Sequence, residues 1–318
     1  MIKDKNFYGK KNYYEKFRQS IKTLLGSVLF LKLFGEENNC VAQVDTSQKS
    51  QLQNSNSYVL AVGEKGNHRL NTLNKVYGSF SQNLIKRIKL LKSMKVLSLG
   101  CGNGNMEVWL AEQVGPEGDI TAIDISQDQL NIAKERAKEN GIENIKFLQG
   151  DASKINYENQ FDLVYTRFML VHLPLPQQAV KQMCKALKPG GVILCEEMIN
   201  SWTFSYPDNP ELNRAVKLIN SIGDKRNVDY DFGLKLYSLF YKQTLKNIQI
   251  NISNPVFSRG EEKELLALSI IESKDNYIKE KLIDESEINQ MIKELFRIVG
   301  DESTILGLAP LVQVYAYK

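Results

Sequence analysis

Between residues 94 and 197 short apolar runs alternate with segments of helical period, and few folds accommodate that alternation. "KVLSLG" (95–100) is an apolar run. Residues 105–114 then turn Val108, Leu110 and Ala111 to one side, and "GPEGD" turns into a second run, "ITAID". Ser126 stands at a helix N-cap with Gln129 three residues on, the spacing of a capping box. That helix buries Leu130, Ala133 and Ala137 and stops at Gly141. The runs "IKFLQ", "FDLVYT" and "VILCEE" follow, the last two separated by a helix over 177–187 and a "KPGG" turn. Strands joined by helices pair in parallel, so the expected fold is α/β: a doubly wound, mostly parallel sheet. "IQINISNPVF" (248–257) and "LVQVYAYK" (311–318) bring the count of expected strands to seven.

With 318 residues, 42% of them hydrophobic, the chain can bury one large core or two modest ones. Its net charge of +4 comes without a dense Lys/Arg block interleaved with aromatics, so nucleic acid is not expected as a partner. Cys40, Cys101, Cys184 and Cys195 are scattered, and there are two histidines. No metal site or disulfide framework is expected, and a reducing, cytoplasmic setting is the natural one. Near the N-terminus a basic stretch precedes "IKTLLGSVLFLKLF" (21–34), which carries Lys22 and Lys32. A bilayer span needs roughly 20 mostly apolar residues, so no transmembrane span is expected. An appended helix is the favoured reading, with peripheral membrane contact or organelle targeting as alternatives. Residues 38–57 are polar and rich in Asn, Gln and Ser, the composition of a linker. The chain divides into an extension and linker, 1–57, and a domain, 58–318. The domain opens with two helices over 68–91.

Gly100, Gly102 and Gly104 sit at every second position where the first strand turns into its helix. Such an elbow lets backbone approach a ligand closely. A dinucleotide site asks for G-x-G-x-x-G, and Asn105 stands where its third glycine belongs. Asp124 ends the second strand, where a carboxylate can accept hydrogen bonds from ribose hydroxyls. "GDA" (150–152) follows the third strand, and "LKPGG" precedes the fifth.

In this order LGCGNG, AIDIS, GDA, FDLVYTRFMLVHL and LKPGG resemble the class I S-adenosylmethionine-dependent methyltransferases. Within them the chain looks most like the small-molecule branch that contains ubiquinone/menaquinone-biosynthesis-type enzymes. The resemblance covers about 58–318 and implies a Rossmann-like methyltransferase fold with S-adenosyl-L-methionine as cofactor. It implies that Gly100, Gly102 and Gly104 line the methionine part, Asp124 holds the ribose, and Ile125 packs on the adenine. Asp151 would receive the adenine amino group, Ala152 would touch the ring through its backbone, and Arg167 would lie near the cofactor's reactive end. The family usually has an acid two residues before the first glycine; this chain has Ser98, which supplies a hydrogen bond without charge. Weaker cofactor binding is the expectation that follows.

The expected activity is methyl transfer to a small-molecule acceptor, with insertions at about 200–247 and 260–301 capping the pocket. A non-catalytic cofactor-binding homologue and a NAD-dependent oxidoreductase are the alternatives. Sulfonium methyl transfer needs alignment and water exclusion more than proton transfer. His172 is the candidate general base, although a structural loop histidine is the favoured reading, and Glu196 and Glu197 are candidates for orienting the acceptor.

Overall fold

A computed structural model describes residues 60–88 and 92–318. The expected extension and linker, with the apolar stretch 21–34 and the boundary at 58, lie outside the described residues. Where two helices were expected over 68–91, the described residues form one, α1 (Glu64–Arg87). Gly78 weakens a helix by about 1 kcal/mol relative to alanine. The buried stripe Val76, Tyr77, Leu84 and Ile85 runs past it, and packing of that stripe outweighs the local preference.

The alternating region forms β1 (Lys95–Leu99), α2 (Asn105–Val114), β2 (Asp119–Asp124), α3 (Gln127–Glu139), β3 (Ile145–Gln149), β4 (Phe161–Arg167), α4 (Pro176–Ala186) and β5 (Leu187–Met198). Pro176 opens α4, where its missing N–H has no cost. The cap on α3 is half a capping box. Ser126 Oγ accepts from Gln129 N–H at 3.3 Å, but the Gln129 side chain is buried and does not return the bond. β5 includes the "KPGG" stretch, because Leu187 already pairs with Phe161 before the register shifts and resumes at Leu163 opposite Val192.

Downstream come β6 (Phe204–Tyr206), α5 (Pro210–Lys225), α6 (Gly233–Tyr241), β7 (Lys246–Ser253), β8 (Val256–Phe257), α7 (Leu265–Lys279), α8 (Glu285–Gly300), β9 (Ile305–Gly307) and β10 (Leu311–Tyr317). Seven strands form one sheet in the order β3-β2-β1-β4-β5-β10-β7. β10 runs antiparallel to both β5 and β7. The single strand expected over 248–257 is two. Pro255 lacks a donor for continuing the ladder, and β8 joins a separate sheet, β6-β9-β8.

The register decides what faces the site. Ala122, Ser98, Tyr165 and Leu194 form one row across β2, β1, β4 and β5. Ala122, Tyr165 and Leu194 pack in one core cluster with Met106, Leu110 and Ala111 of α2, so the alternation of a strand turns Ser98 towards α2 as well. One step further along, Arg167, Glu196, Gln313 and Asn251 make a polar row across β4, β5, β10 and β7. α5, α7 and α8 pack on one another and α7 on α1, whereas α6 lies against β10, β5 and β7. Among the described residues no helix is long and apolar enough to cross a membrane.

Candidate functional site

The site forms where β1 ends. Gly100, at φ 71°, turns the chain back so that its N–H donates to Ile123 O at 2.8 Å. A β-carbon on Gly100 would sit 2.7 Å from the Met169 side chain, and one on Gly104 would sit 2.8 Å from Ala133 Cβ. The turn is therefore wedged between α3 and the segment after β4, and only glycine fits. Asp124 holds it from the side. Its carboxylate accepts from Gly102 N–H at 2.8 Å and from Ser126 N–H at 2.9 Å. Burial raises the Asp124 carboxyl, while those N–H groups pull the other way. Two bonds leave lone pairs free on a carboxylate, so Asp124 can hold the turn and still accept from a sugar. Beside it Ile125 stands 49% exposed, an apolar side chain with nothing of the protein on its outer face.

Asp151 and Ala152 are half-buried in the turn after β3. Burial raises the Asp151 carboxyl, but bonds from the Ser153 hydroxyl (2.6 Å) and N–H (2.9 Å), with Lys154 beyond, bring it below its usual range. Arg167 reaches α1 instead of standing free. It donates to Ser81 Oγ at 3.1 Å and to Asn74 Oδ1 at 3.0 Å.

Sequence reasoning missed the asparagines that fasten α1 to the turn. Asn103 donates to Asn67 Oδ1 (2.8 Å) and Asn71 Oδ1 (2.9 Å), and Asn105 donates to Asn71 Oδ1 (3.1 Å). Arg136 of α3 closes the cluster through Asn103 O, Asn105 Oδ1 and Asn71 Oδ1. The signal was present: Asn67 and Asn71 are one helical turn apart, and Asn105 stands where a dinucleotide site has glycine. The second omission is Glu107. It sits at the third position of α2, is 2% exposed, and accepts a 2.6 Å bond from Ser98 Oγ. Burial pushes its carboxyl up to about 7 against the Ser98 bond and the charge of Arg167. Its position beside Val108 reads as an ordinary polar helix residue until the strand beneath is in place.

The candidate acidic residues of β5 are occupied. Glu196 accepts from Ser81 Oγ (2.6 Å), Tyr165 OH (2.8 Å) and Gln313 Nε2. Glu197 accepts from Leu170 N–H at 2.7 Å, with Met169 and Val171 N–H further out, and burial lifts its carboxyl to about 8. Both brace the chain around β4, and neither has the freedom expected of a group that orients an acceptor.

His172 lies in the short 3-10 turn after β4, edge-on to Tyr230 with ring centroids 5.5 Å apart. Burial first, then the charge of Arg69, lower it to about 3. Arg69 itself makes a 2.7 Å ion pair with Glu272 of α7, the two side chains 5% and 3% exposed. Thus His172 belongs to a polar cluster within a helical layer, the roof of the domain, contributed by α1, α7 and the segment before α6.

Taken together, the residues fit an adenosyl ligand with an amino-acid tail. There is a turn with no β-carbons, a half-buried carboxylate beside it, an exposed Ile125 and an acidic group after β3. Comparisons with known proteins agree. A family model described as a methyltransferase domain matches residues 90–232. A demethylmenaquinone methyltransferase of Staphylococcus aureus is 37% identical over 126 residues, which is 37% of this chain and 52% of that protein. The enzyme of the same name from Listeria welshimeri is 31% identical over 122 residues, 38% of this chain and 52% of the other. The chain thus spans about half the length of the curated relatives it matches. The YcgJ protein of Bacillus subtilis superposes with a TM-score of 0.52 at 19% identity, over 76% of this chain and 98% of that one, a likeness of fold. Sequence match, strand order and glycine turn coincide: residues 90–232 are similar to a methyltransferase domain and lie on a Rossmann-like sheet.

Proposed function

We propose that the protein binds S-adenosyl-L-methionine on the β1–α2 turn and transfers its methyl group to a small, partly apolar acceptor. The observation that carries this reading is the turn itself: Gly102 N–H bonded to Asp124 at 2.8 Å, with Ile125 exposed beside it, in a region similar to a methyltransferase domain. When bound, the cofactor supplies an electrophilic methyl group. Asp124 accepts from the ribose hydroxyls, Ile125 covers one face of the adenine, and Asp151 and Ala152 lie at its edge. Gly100 and Gly104 leave room for the methionine part.

His172 acts by position in this reading. A ring lowered to about 3 is a poor proton acceptor near neutrality, and its place beside Tyr230 and the Arg69–Glu272 pair supports a role in holding the roof. The relatives are named for demethylmenaquinone, but residues 233–318, which include α6, α7 and α8, lie beyond the family match. The proposed acceptor class is therefore the broader one. Titration of the purified protein with S-adenosylmethionine and with NAD tests the cofactor. Saturable binding of the first alone is expected, and binding of NAD alone would overturn the reading. Transfer of labelled methyl to lipid-extract quinols tests the acceptor class.

A further inference from the structure

Ser98 leaves the floor of the turn without the acid usual in the resembled family, yet the floor is not uncharged. The row that places Ser98 under α2 also places Glu107 directly over it, Oγ to Oε1 at 2.6 Å. The other oxygen, Oε2, is buried and has no hydrogen-bond partner among the described residues. A buried acid with one oxygen unused is costly to keep unless something draws on its charge. Its electrostatic neighbours are Arg167, Asp124 and Cys101, residues at or beside the turn, and Arg136 of α3. A carboxylate can be presented at this spot from the strand or from the facing helix, because the two positions are in contact.

We propose that Glu107, positioned by Ser98, supplies the negative charge that holds the ammonium group of the cofactor's amino-acid end. The inference rests on the reading under Proposed function and adds to it a residue and a subsite. The acid has moved from β1 to the first turn of α2, and Ser98 has become its hydrogen-bond donor. The helix N-terminus favours a carboxylate there. On this view the substitution at position 98 does not by itself lower affinity, and Ser98→Asp alone would crowd two acids into one pocket instead of adding a useful charge.

Two ligands separate this role from a structural one. S-adenosylhomocysteine carries the amino-acid end and donates no methyl group. 5′-Methylthioadenosine keeps the nucleoside and thioether and lacks that end. In calorimetric titrations Glu107→Gln should weaken S-adenosylhomocysteine by about tenfold or more, the loss expected for one charge-assisted contact. Methylthioadenosine should bind as to the native protein. Adding Ser98→Asp to Glu107→Gln should return most of the lost affinity, since the charge is restored from the strand. Equal losses for both ligands, no loss for either, or no recovery in the double variant would overturn the proposal. If Glu107→Gln does not fold, S98D/E107Q is compared with S98N/E107Q, which differ only in charge at β1. The same selective difference is expected, and its absence overturns the proposal. A native protein that binds neither ligand overturns the cofactor reading and this inference with it.

Discussion

The β1–β3 half of the domain and its roof solve different problems. In the first, backbone carries the geometry. Gly100 and Gly104 are wedged against Met169 and Ala133, and a carboxylate from β2 ties down Gly102. In the roof, side chains carry it. α1 and α7 are joined by the buried Arg69–Glu272 pair, with His172 and Tyr230 beside it. A backbone-built site tolerates little change and announces itself in sequence, because only glycine meets its demands. A side-chain-built roof can be repacked in many ways, which on the proposed reading suits a surface that matches one acceptor among many.

If that contrast holds, breaking the roof should cost stability first, and breaking the floor should cost binding. The largest effect is expected at the buried ion pair. Arg69→Leu should lower unfolding free energy in urea by about 3–5 kcal/mol, because Glu272 is left buried and unpaired, while Arg69→Leu with Glu272→Leu should cost much less. Equal costs for single and double variants would mean the pair is not acting as a unit. At the floor, Asp124→Ala should weaken S-adenosylmethionine by about 2–4 kcal/mol in calorimetry, having removed bonds to a charged acceptor. Unchanged affinity in a folded Asp124→Ala protein would remove the ribose assignment. Gly104→Ala, which must hold φ 77° with a β-carbon against Ala133, should displace the turn and weaken S-adenosylmethionine in the same titrations by about 1–3 kcal/mol.

A pH test sharpens the role of His172. Its folded value, about 3, lies below the usual 6.5. Between those limits the unfolded chain takes up a proton that the folded one refuses, so stability falls as pH drops from 6.5 towards 3. His172→Phe lacks this contribution. Its stability relative to the native protein should rise by at most about 1.4 kcal/mol per pH unit of acidification in that window. Glu107 and Glu197, raised to about 7 and about 8, act in the opposite sense, but they are common to both proteins and cancel in the difference. Urea midpoints at pH 7 and pH 5 give the answer, and a constant difference would mean the ring is not held neutral by its surroundings. The smallest effect is expected at the surface, where Lys75 pairs with Glu261 with both side chains more than half exposed. Lys75→Ala should change stability by about 0.5 kcal/mol or less, measurable in the same urea experiments.

The sequence alone determined the alternating sheet and the glycine turn. Each rests on local chemistry: apolar runs of strand length, caps such as Ser126 and Gly141, and positive φ at Gly100 and Gly104. Asp124 was legible for the same reason, since its place follows from where β2 must end. Tertiary structure alone decided the rest. The continuity of α1 across Gly78 depends on a stripe that is buried by distant residues. The split at Pro255 depends on β9, which gives β8 a second sheet to join. The asparagine cluster and the Glu107–Ser98 contact join helix to strand or helix to turn; helical spacing puts Asn67 and Asn71 on one face of α1, but only packing sets Asn103 opposite that face and Glu107 over Ser98. Local preference acts through neighbours in the chain, whereas the partner of a buried polar group is chosen by register and packing, and these exist only once the sheet has formed.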